Sequence, residues 1–471
     1  MLSRADGCWR WLQERSDSPW YPKMRIFRQA KPLQWAPVVQ EVAQALRQAV
    51  QDKGGGNTQT HTLAKTGRRA LPSTGHQGVL DKTVAQAKAL SEQGLVKRRN
   101  GDLEGAVHDY DAAIALAPQA ATPRLLKGFA LRMQLRLPEA EACYRQALAL
   151  EPDNAQCHFN LALVLLLQRR YAEGWAELAW RWRLPGQARP RMPGRLWQGE
   201  DLSGQSLLVY QDQGLGDVIQ FARYLPLLLQ SRAPKSVTLA VRAPLLRLMR
   251  ESLQDMPVVQ VVDLDQPMPA HDGHASIFDL PRCLACEESP ALAAYLHAPT
   301  ERVQRWREWL NARSPAGAPQ RRVGLVWRGN PQRLRNDHRS VPADVASALR
   351  ACQDVQWVSL QVDVQPEDAA VRHVTQARAG AWLEPLQALS DLAETAALVM
   401  NLECVVTVDT SVAHLAAALG RPTWVLLAHD SDWRWQLARE DSPWYPTARV
   451  LRQPQAGDWA SVVAQLMARW P

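Results

Sequence analysis

Three side chains that could act on a charged ligand stand together near the C-terminus of the 471-residue chain: Asp409, Thr410 and His414. They belong to the segment 404–427, whose pattern predicts a buried strand, a sharp turn, an Ala/Leu-rich helix that ends at Gly420, and a second buried strand. The free N–H groups and the positive dipole end of such a helix bind anions. A capped helix in an ordinary α/β unit explains these residues equally well, so both interpretations stay open.

A second glycine-bearing turn lies earlier in the chain. A buried strand predicted over 206–211 runs into a turn with Gly214 and Gly216, and Asp217 stands where a helix over 218–230 is predicted to begin. The helix dipole keeps a carboxylate at this position ionised and able to accept a proton. An N-terminal helix charge without a catalytic role explains Asp217 as well.

Several guanidinium groups follow another predicted strand, over 322–327. Arginine binds phosphate groups through two parallel hydrogen bonds, so a cluster of arginines at a strand end suits a diphosphate. A solvated Arg-rich loop is the alternative. The arginines of this loop are Arg328, Arg333, Arg335 and Arg339.

The elements that must position these residues alternate between strand and helix. Their order predicts two successive Rossmann-like units, over 200–318 and 319–471, with a cleft between paired sheets. Further predicted strands cover 236–241, 258–264 and 355–361, and further predicted helices cover 244–253 and 301–313.

A 34-residue period precedes these units, over 83–186. Small residues recur at the close-approach position of each first helix, and prolines close successive helical hairpins. The period resembles the tetratricopeptide repeat, and three units are the fewest that give a stable stack. A concave groove for a protein or peptide partner and a rigid spacer are both consistent with it. The small residues are Gly94, Gly128 and Ala162, and two of the closing prolines are Pro118 and Pro152.

The first 50 residues partly duplicate the C-terminal segment. Between Asp6 and Val39, 18 of 34 positions are identical to the stretch that starts at Asp430, without a gap. Chance does not produce such a match. The copy lacks the strand–turn–helix that precedes the C-terminal segment, so we expect one active site. Three origins stay open: a remnant of a tandem copy or an over-extended start, a docked decoy helix, and an element exchanged between protomers.

Composition narrows the class of protein. The formal charge of +8 comes from scattered basic residues mixed with acids, which disfavours nucleic-acid binding. Seven cysteines without a framework spacing suit a reducing compartment. The longest strictly apolar run, 161–167, is far too short to span a membrane, so we predict a soluble cytoplasmic protein. The Gly-rich polar stretch 51–80 is predicted to be a flexible linker.

Four motifs occur in a defined order and together resemble one family. They are Gln213-Gly-Leu-Gly-Asp-Val-Ile-Gln-Phe-Ala-Arg-Tyr-Leu-Pro226, Val323-Gly-Leu-Val-Trp-Arg-Gly-Asn-Pro331, Val408-Asp-Thr-Ser-Val-Ala-His-Leu-Ala416, and Asp432-Trp-Arg-Trp435 with Asp441-Ser-Pro-Trp-Tyr-Pro446. As a set they resemble bacterial tetratricopeptide-repeat proteins with a glycosyltransferase family 9-like domain, which are related to the heptosyltransferases. The resemblance implies an α + α/β protein, with helical repeats followed by a GT-B pair of Rossmann-like domains.

The resemblance also implies an activity and the residues for it. A sugar would pass from a nucleoside-diphosphate sugar to an acceptor hydroxyl, with no metal and no cofactor beyond the donor substrate. Asp217 takes the place of the proposed catalytic base, and Gln213, Gly214 and Gly216 fall on the acceptor or cleft side. The implied donor-binding residues are Arg328, Asn330, Arg339, Asp409, Thr410, Ser411, Val412 and His414.

Two other functions compete with sugar transfer. A tetratricopeptide scaffold with a degenerate catalytic body would bind partners without turnover. A dinucleotide-dependent oxidoreductase is disfavoured, because Ile219 stands where the dinucleotide fingerprint has its third glycine.

Overall fold

The computed structural model describes residues 74–471 with short gaps, and a few pieces of the first 50 residues. The gaps are 289, 291, 315–320, 331–335, 353, 364, 369–370, 372–381 and 470–471; the described N-terminal pieces are 2–3, 17–18, 21–25, 27–28, 42 and 44–45. The chain divides into two compact units, Met1–Ser73 and Thr74–Pro471. Most of the predicted linker 51–80 therefore lies outside the described residues.

The described pieces of the first unit include four short strands, β1 (Leu2–Ser3), β2 (Asp17–Ser18), β3 (Tyr21–Arg25) and β4 (Phe27–Arg28). Their pairings reproduce those of the segment they duplicate. Leu2 pairs with Phe27 in parallel, as Leu426 does with Leu451. Asp17 opposes Arg25 in antiparallel fashion, as Asp441 does Arg449. The duplication of sequence is thus also a duplication of strand register.

Six helices form three antiparallel hairpins at the start of the second unit. The first hairpin begins at Thr74, two residues after Pro72, so the linker predicted to reach residue 80 ends earlier and residues 74–80 belong to the first helix. The helices are α1 (Thr74–Arg99), α2 (Leu103–Leu116), α3 (Ala121–Met133), α4 (Leu137–Leu150), α5 (Ala155–Leu167) and α6 (Tyr171–Leu178).

The small residues of the repeat let the paired helices approach closely. A Cβ added to Gly94 would lie 2.7 Å from the ring of Tyr110, and a Cβ on Gly128 would lie 2.7 Å from the ring of Tyr144. Both tyrosine rings are fully buried. The hairpins therefore depend on glycine where a tyrosine of the second helix lies against the first helix.

A five-stranded parallel sheet forms the N-terminal half of the following α/β body, in the order β5-β9-β6-β7-β8. Because β5 belongs to this sheet, the half begins before the predicted boundary at 200. The helix predicted over 218–230 is two helices joined by a 3₁₀ turn at 222–224. The elements are β5 (Arg195–Leu196), β6 (Ser206–Tyr210), α7 (Leu215–Phe221), α8 (Leu225–Arg232), β7 (Ser236–Val241), α9 (Ala243–Ser252), β8 (Val259–Asp263), β9 (Gly273–Ser276), α10 (Leu280–Cys283) and α11 (Thr300–Arg313).

A six-stranded parallel sheet forms the C-terminal half, in the order β12-β11-β10-β13-β14-β15. Two parallel sheets with crossover helices, preceded by helical repeats, confirm the predicted α + α/β fold class with paired Rossmann-like domains. The elements are β10 (Arg321–Val326), α12 (Asn336–Arg339), α13 (Ala343–Ser347), β11 (Val355–Ser359), β12 (Trp382–Leu383), α14 (Leu392–Val399), β13 (Cys404–Val408), α15 (Ser411–Ala418), β14 (Thr423–Leu427), β15 (Ala448–Arg452) and α16 (Trp459–Ala468).

The third hairpin is fixed to the α/β body by a buried ionic cluster. Arg181, in the 3₁₀ turn after α6, donates to Asp279 at 2.6 Å and to Asp212 at 3.1 Å. All three side chains are at most 5% exposed. Removing one partner of such a cluster leaves an uncompensated buried charge, so the contact resists separation.

Aromatic packing extends this contact to both halves of the body. The Trp175 ring lies edge-on to Phe221 of the N-terminal half and to Trp433 of the C-terminal half, at centroid distances of 5.9 and 5.3 Å. Tyr171 lies edge-on to Trp444 at 6.0 Å. The repeats are therefore part of the same packed unit as the body. Among the described helices, none is long and apolar enough to cross a membrane.

Candidate functional site

Two helix N-termini meet between the halves of the α/β body, one from each half. Helix α7 follows β6 through the glycine-bearing turn, and α15 follows β13 through the turn at Asp409. Gly216 on α7 lies so close to α15 that an added Cβ would be 2.9 Å from Cδ2 of His414. Glycine is needed at this position because the two helices touch there, and not for an unusual backbone angle.

A cavity of about 180 Å³ lies at this junction, and side chains from both halves line it. It brings together most of the residues that the sequence singled out. Predicted residues at the cavity are Gly216, Asp217, Asn330, Arg339, Asp409, Thr410, Ser411 and His414; Leu215, Asp432 and Arg434 complete the lining.

The start of α15 presents free backbone donors to the cavity. Thr410 is the N-cap residue with an extended backbone, but its side chain does not cap the helix and instead meets the Thr407 hydroxyl at 3.0 Å. Among the described residues, the N–H groups of Ser411 and Val412 have no hydrogen-bond acceptor. These donors and the dipole of the helix provide a site for an anion.

Asp217 is held by a bond from each half of the body. It is the third residue of α7, and its Oδ2 accepts the N–H of Gly214 at 2.7 Å, which satisfies the N–H of the N-cap residue. Its Oδ1 accepts a hydrogen bond from the guanidinium of Arg434, in the C-terminal half. The carboxylate is thus fixed in position at the cavity wall, with one ion pair across the cleft.

Arg434 is the centre of a buried network. Its Nε donates to Gln220 at 2.6 Å and its Nη1 to Asp432 at 2.8 Å, while its face lies 4.5 Å from the Trp433 ring. Burial opposes its charge, but Asp432 and Asp217 outweigh burial and raise the pKa of Arg434. Burial also acts to raise the pKa of Asp432, but Arg434 outweighs it and holds that pKa below its ordinary value.

Asp409 lies at the end of β13, beside this network. Its Oδ1 accepts the indole N–H of Trp435 at 2.9 Å, and its Oδ2 lies 3.8 Å from Nη1 of Arg339. Burial, and then the negative charge of Asp432, raise the pKa of Asp409 above its ordinary value. The cavity therefore has two neighbouring carboxyl groups with opposite pKa shifts.

His414 is a packed side chain with a defined polar contact. Its Nδ1 and the Tyr445 hydroxyl are 2.9 Å apart, and its ring stacks on Trp435 with an interplanar angle of 24°. Burial raises the pKa of Tyr445 well above its ordinary value, which keeps the hydroxyl neutral. The contact fixes the imidazole ring against α7.

Other predicted residues do not reach the cavity. Arg328 is turned away, because its guanidinium donates to the buried Asp368 at 2.6 Å and to the Asp363 carbonyl at 2.8 Å. The side-chain amide of Gln213 donates a hydrogen bond to Asp212, the carboxylate that also pairs with Arg181 of the repeats. Gly214 contributes its N–H to Asp217, and Val412, whose side chain is buried, has only its backbone N–H at the start of α15. Arg333 and Arg335 lie outside the described residues.

Two residues of the site, Asp432 and Arg434, were not among the predicted site residues. The motif that contains them was noticed as a duplicated and family-like segment, but no spacing rule connects it to Asp217. The N-terminal copy of this motif matches it at one of the two positions. The copy has Arg10 and the flanking tryptophans in the places of Arg434 and its neighbours, but it has Cys8 where Asp432 stands.

Among the described residues, no group of three or more His, Cys, Asp or Glu is arranged to hold a metal ion. Metal independence of the reaction stays a prediction.

Comparison with known proteins gives two matches to family models. Residues 357–465 match glycosyltransferase family 9 (heptosyltransferase), and residues 136–168 match the TPR repeat. The first match runs from within β11 to within α16 and includes the cavity residues from Asp409 to Arg434, but not Asn330 or Arg339; the second covers all of α4 and α5.

Comparison with individual proteins also gives a curated relative. The chain is 26% identical over 396 residues to Protein FlbA of Caulobacter vibrioides, which covers 79% of this chain and 65% of that protein. The chain thus spans less than two thirds of that relative's length.

Among solved structures, E. coli ADP-heptose lps heptosyltransferase II is 15% identical over 56% of this chain and 98% of that chain, with a TM-score of 0.40. A family 9 glycosyl transferase from Veillonella parvula is 13% identical over 57% of this chain and 97% of that chain, with a TM-score of 0.39. The family matches thus identify a glycosyltransferase family 9 (heptosyltransferase) segment and a TPR repeat segment within this chain.

Proposed function

We propose that the protein transfers a sugar from a nucleoside-diphosphate sugar to an acceptor hydroxyl, with Asp217 as the base. The observation that carries the proposal is the pairing in one cavity of two complementary groups. The unpartnered N–H groups at the start of α15 suit a departing diphosphate, and the fixed Asp217 carboxylate faces the same cavity from the other half.

In this proposal, each step of the transfer is carried out by a group of this chain. The acceptor oxygen attacks the anomeric carbon, the bond from that carbon to the diphosphate oxygen breaks, and the acceptor proton passes to Asp217. Charge that develops on the leaving diphosphate meets the N–H groups of Ser411 and Val412 and the guanidinium of Arg339. These donors are already in place, so little reorganisation is required when the bond breaks.

The same donors support a reaction without a metal ion. A positive helix end and one arginine can neutralise much of the charge that a divalent cation would otherwise meet. We expect transfer to continue at an unchanged rate in excess EDTA. A loss of activity with EDTA that Mg²⁺ or Mn²⁺ restores would contradict this part of the proposal.

Donor binding is tested by thermal shift of the full chain against a panel of nucleoside diphosphates and nucleotide sugars. We expect at least one nucleoside diphosphate to raise the unfolding temperature, and Ser411→Pro, which removes one of the free N–H groups, to weaken that shift. A scaffold with a degenerate catalytic body would show no shift with any member of the panel.

The base is tested by Asp217→Asn, which keeps the shape of the side chain but removes its basicity. We expect transfer to fall about 10²- to 10⁴-fold while the thermal shift by the nucleoside diphosphate persists. Asp265→Asn is the matched control, because Asp265 is an exposed carboxylate at the end of β8 outside the cavity. Undiminished transfer by Asp217→Asn would refute the assignment of the base.

A further inference from the structure

One wall of the cavity comes from a short turn after β14, residues 432–436, which is called the site turn below. Asp432 and Arg434 of this turn line the cavity, and Trp435 donates its indole N–H to Asp409. The turn lies outside the strands and α-helices of the C-terminal half. The side chains packed around it must therefore fix its position.

The backbone of the site turn ends in a strained conformation at Gln436. Its φ is +49° and its ψ is 179°, a combination that residues with a side chain rarely adopt. Such a conformation persists only where neighbouring groups hold it. The Gln436 carbonyl accepts a hydrogen bond from the guanidinium of Arg452, and its side-chain oxygen accepts one from Arg439 at 2.9 Å. The residue is 2% exposed.

The third repeat adds two contacts to the site turn. The side-chain N–H of Gln436 donates a hydrogen bond to the hydroxyl of Tyr171, the first residue of α6. About one helical turn later, the Trp175 ring lies edge-on to Trp433 at a centroid distance of 5.3 Å. Neither Tyr171 nor Trp175 is among the described residues that line the cavity. Their effect on the cavity must therefore pass through the turn.

The same two positions are places where the third repeat departs from the 34-residue pattern. A leucine begins the second helix of each of the first two hairpins, whereas Tyr171 begins that of the third. Trp175 likewise takes the place of Val107 and Glu141. Stacking of one repeat on the next requires neither a hydroxyl nor an indole at these positions. Contact with the site turn accounts for both.

We propose that Tyr171 is a positioning residue for sugar transfer. Its hydroxyl holds Gln436, and this bond keeps Arg434, two residues earlier, where it bonds to Asp217. The inference rests on the proposed function, since it concerns the base of that reaction. The repeats are then required for turnover with every acceptor, water included, and not only with acceptors that touch them.

The test uses the full chain and the nucleotide sugar of the panel that the wild type hydrolyses fastest, with water as the acceptor. Tyr171→Phe should lower kcat about tenfold or more, because a displaced Arg434 no longer fixes the Asp217 carboxylate. KM for the nucleotide sugar should stay within about twofold of the wild-type value, because the N–H groups of Ser411 and Val412 belong to α15. The thermal shift by nucleoside diphosphate should likewise persist. A side chain that only stabilises the fold does not separate kcat from KM in this way.

A second variant removes the same hydrogen bond from the side of the body. Gln436→Met takes away the donor, while Arg439 keeps its ion pair with Asp441. The two single variants and the double variant should lose kcat by the same factor, because each breaks the same bond. The double variant should unfold at a higher temperature than Tyr171→Phe, because no buried amide is then left without an acceptor.

Tyr110→Phe is the matched control. Tyr110 is also a buried tyrosine of the repeats, but it lies against Gly94 in the first hairpin, so its loss should leave kcat unchanged. Unchanged kcat in Tyr171→Phe, an equal loss in Tyr110→Phe, or a return of kcat to the wild-type value in the double variant would overturn the proposal. A wild type that hydrolyses no nucleotide sugar and shows no thermal shift would instead refute the proposed function.

Discussion

Replacing Arg434 by methionine tests the buried network that joins the two halves of the site. The side chain is 9% exposed and bonds to Asp217, Gln220 and Asp432. Methionine has a similar length but no charge, so the variant leaves two carboxylates without their cation. Breaking a buried ion pair by removing one partner costs about 3–5 kcal/mol. Asp432 is 35% exposed, so water screens part of its charge. We therefore expect Arg434→Met to lower the free energy of unfolding by about 3 kcal/mol at neutral pH, the lower end of this range.

The loss of unfolding free energy in Arg434→Met should depend on pH, and the surroundings of Asp432 determine whether it grows or shrinks as the pH falls. In the native protein, the pKa of Asp432 is lowered, so its contribution to stability is present above the ordinary carboxyl value and is lost as the pH falls through the folded value. Without Arg434, burial and the nearby Asp409 act to raise that pKa, so the carboxylate destabilises the variant most at neutral pH. Protonation relieves this destabilisation as the pH falls toward about 3.9. The difference in unfolding free energy between the two proteins should therefore be smaller at pH 4.5 than at pH 7.

Urea unfolding of both proteins at these two pH values measures the effect. Arg439→Met is the matched control, because Arg439 forms an ion pair with Asp441, whose side chain is 58% exposed, and such pairs contribute about 0–1 kcal/mol. A difference for Arg434→Met no larger than for the control would refute the reasoning. So would a difference of the same size at pH 7 and pH 4.5.

Three further predictions follow from other contacts. Gly216→Ala should lower transfer at least tenfold, because the added Cβ would lie 2.9 Å from His414. Gly273→Ala, whose Cβ would meet only ordinary contacts of 3.4 Å or more, serves as control in the same assay. Arg328→Gln should lower the unfolding temperature, because buried Asp368 loses its cation, but it should leave the thermal shift by nucleoside diphosphate unchanged. A weakened thermal shift would show that Arg328 does bind the donor. Trp175→Ala should destabilise the protein by about 3–5 kcal/mol in urea unfolding, and an effect below about 1 kcal/mol would show that the repeats are not packed on the body as described.

The order of strands and helices could be predicted because both sheets are parallel and buried. Strands of such sheets read as continuous apolar runs, and the strands predicted at 236–241 and 404–408 have the observed bounds. Strand β9, Gly273–Ser276, was missed because Gly-His-Ala-Ser has no apolar run, although all four residues are buried. Its position beside β6 supplies the burial that its own sequence does not indicate.

The site could be predicted only where one segment carries both the element and the chemistry. Asp217 and Thr410 stand at helix starts that their own neighbours define, so local pattern was sufficient to locate them. Arg328 and Arg434 show the limit, because both are arginines in family-like motifs. Each of them forms an ion pair with a carboxylate that is distant in sequence. Arg328 pairs with Asp368, outside the cavity, whereas Arg434 pairs with Asp217, at the cavity wall.

The contacts that hold the two halves together are also those that form the site. Gly216 touches His414 across the junction, and the Arg434–Asp217 ion pair joins the same two halves at the cavity wall. A movement that separates the halves must therefore break the bond that fixes the Asp217 carboxylate. Since the Arg181 cluster and Trp175 also join the repeats to the body, the contacts described fix Asp217, the start of α15 and the third hairpin relative to one another. Separation of the two halves would thus also displace the proposed base.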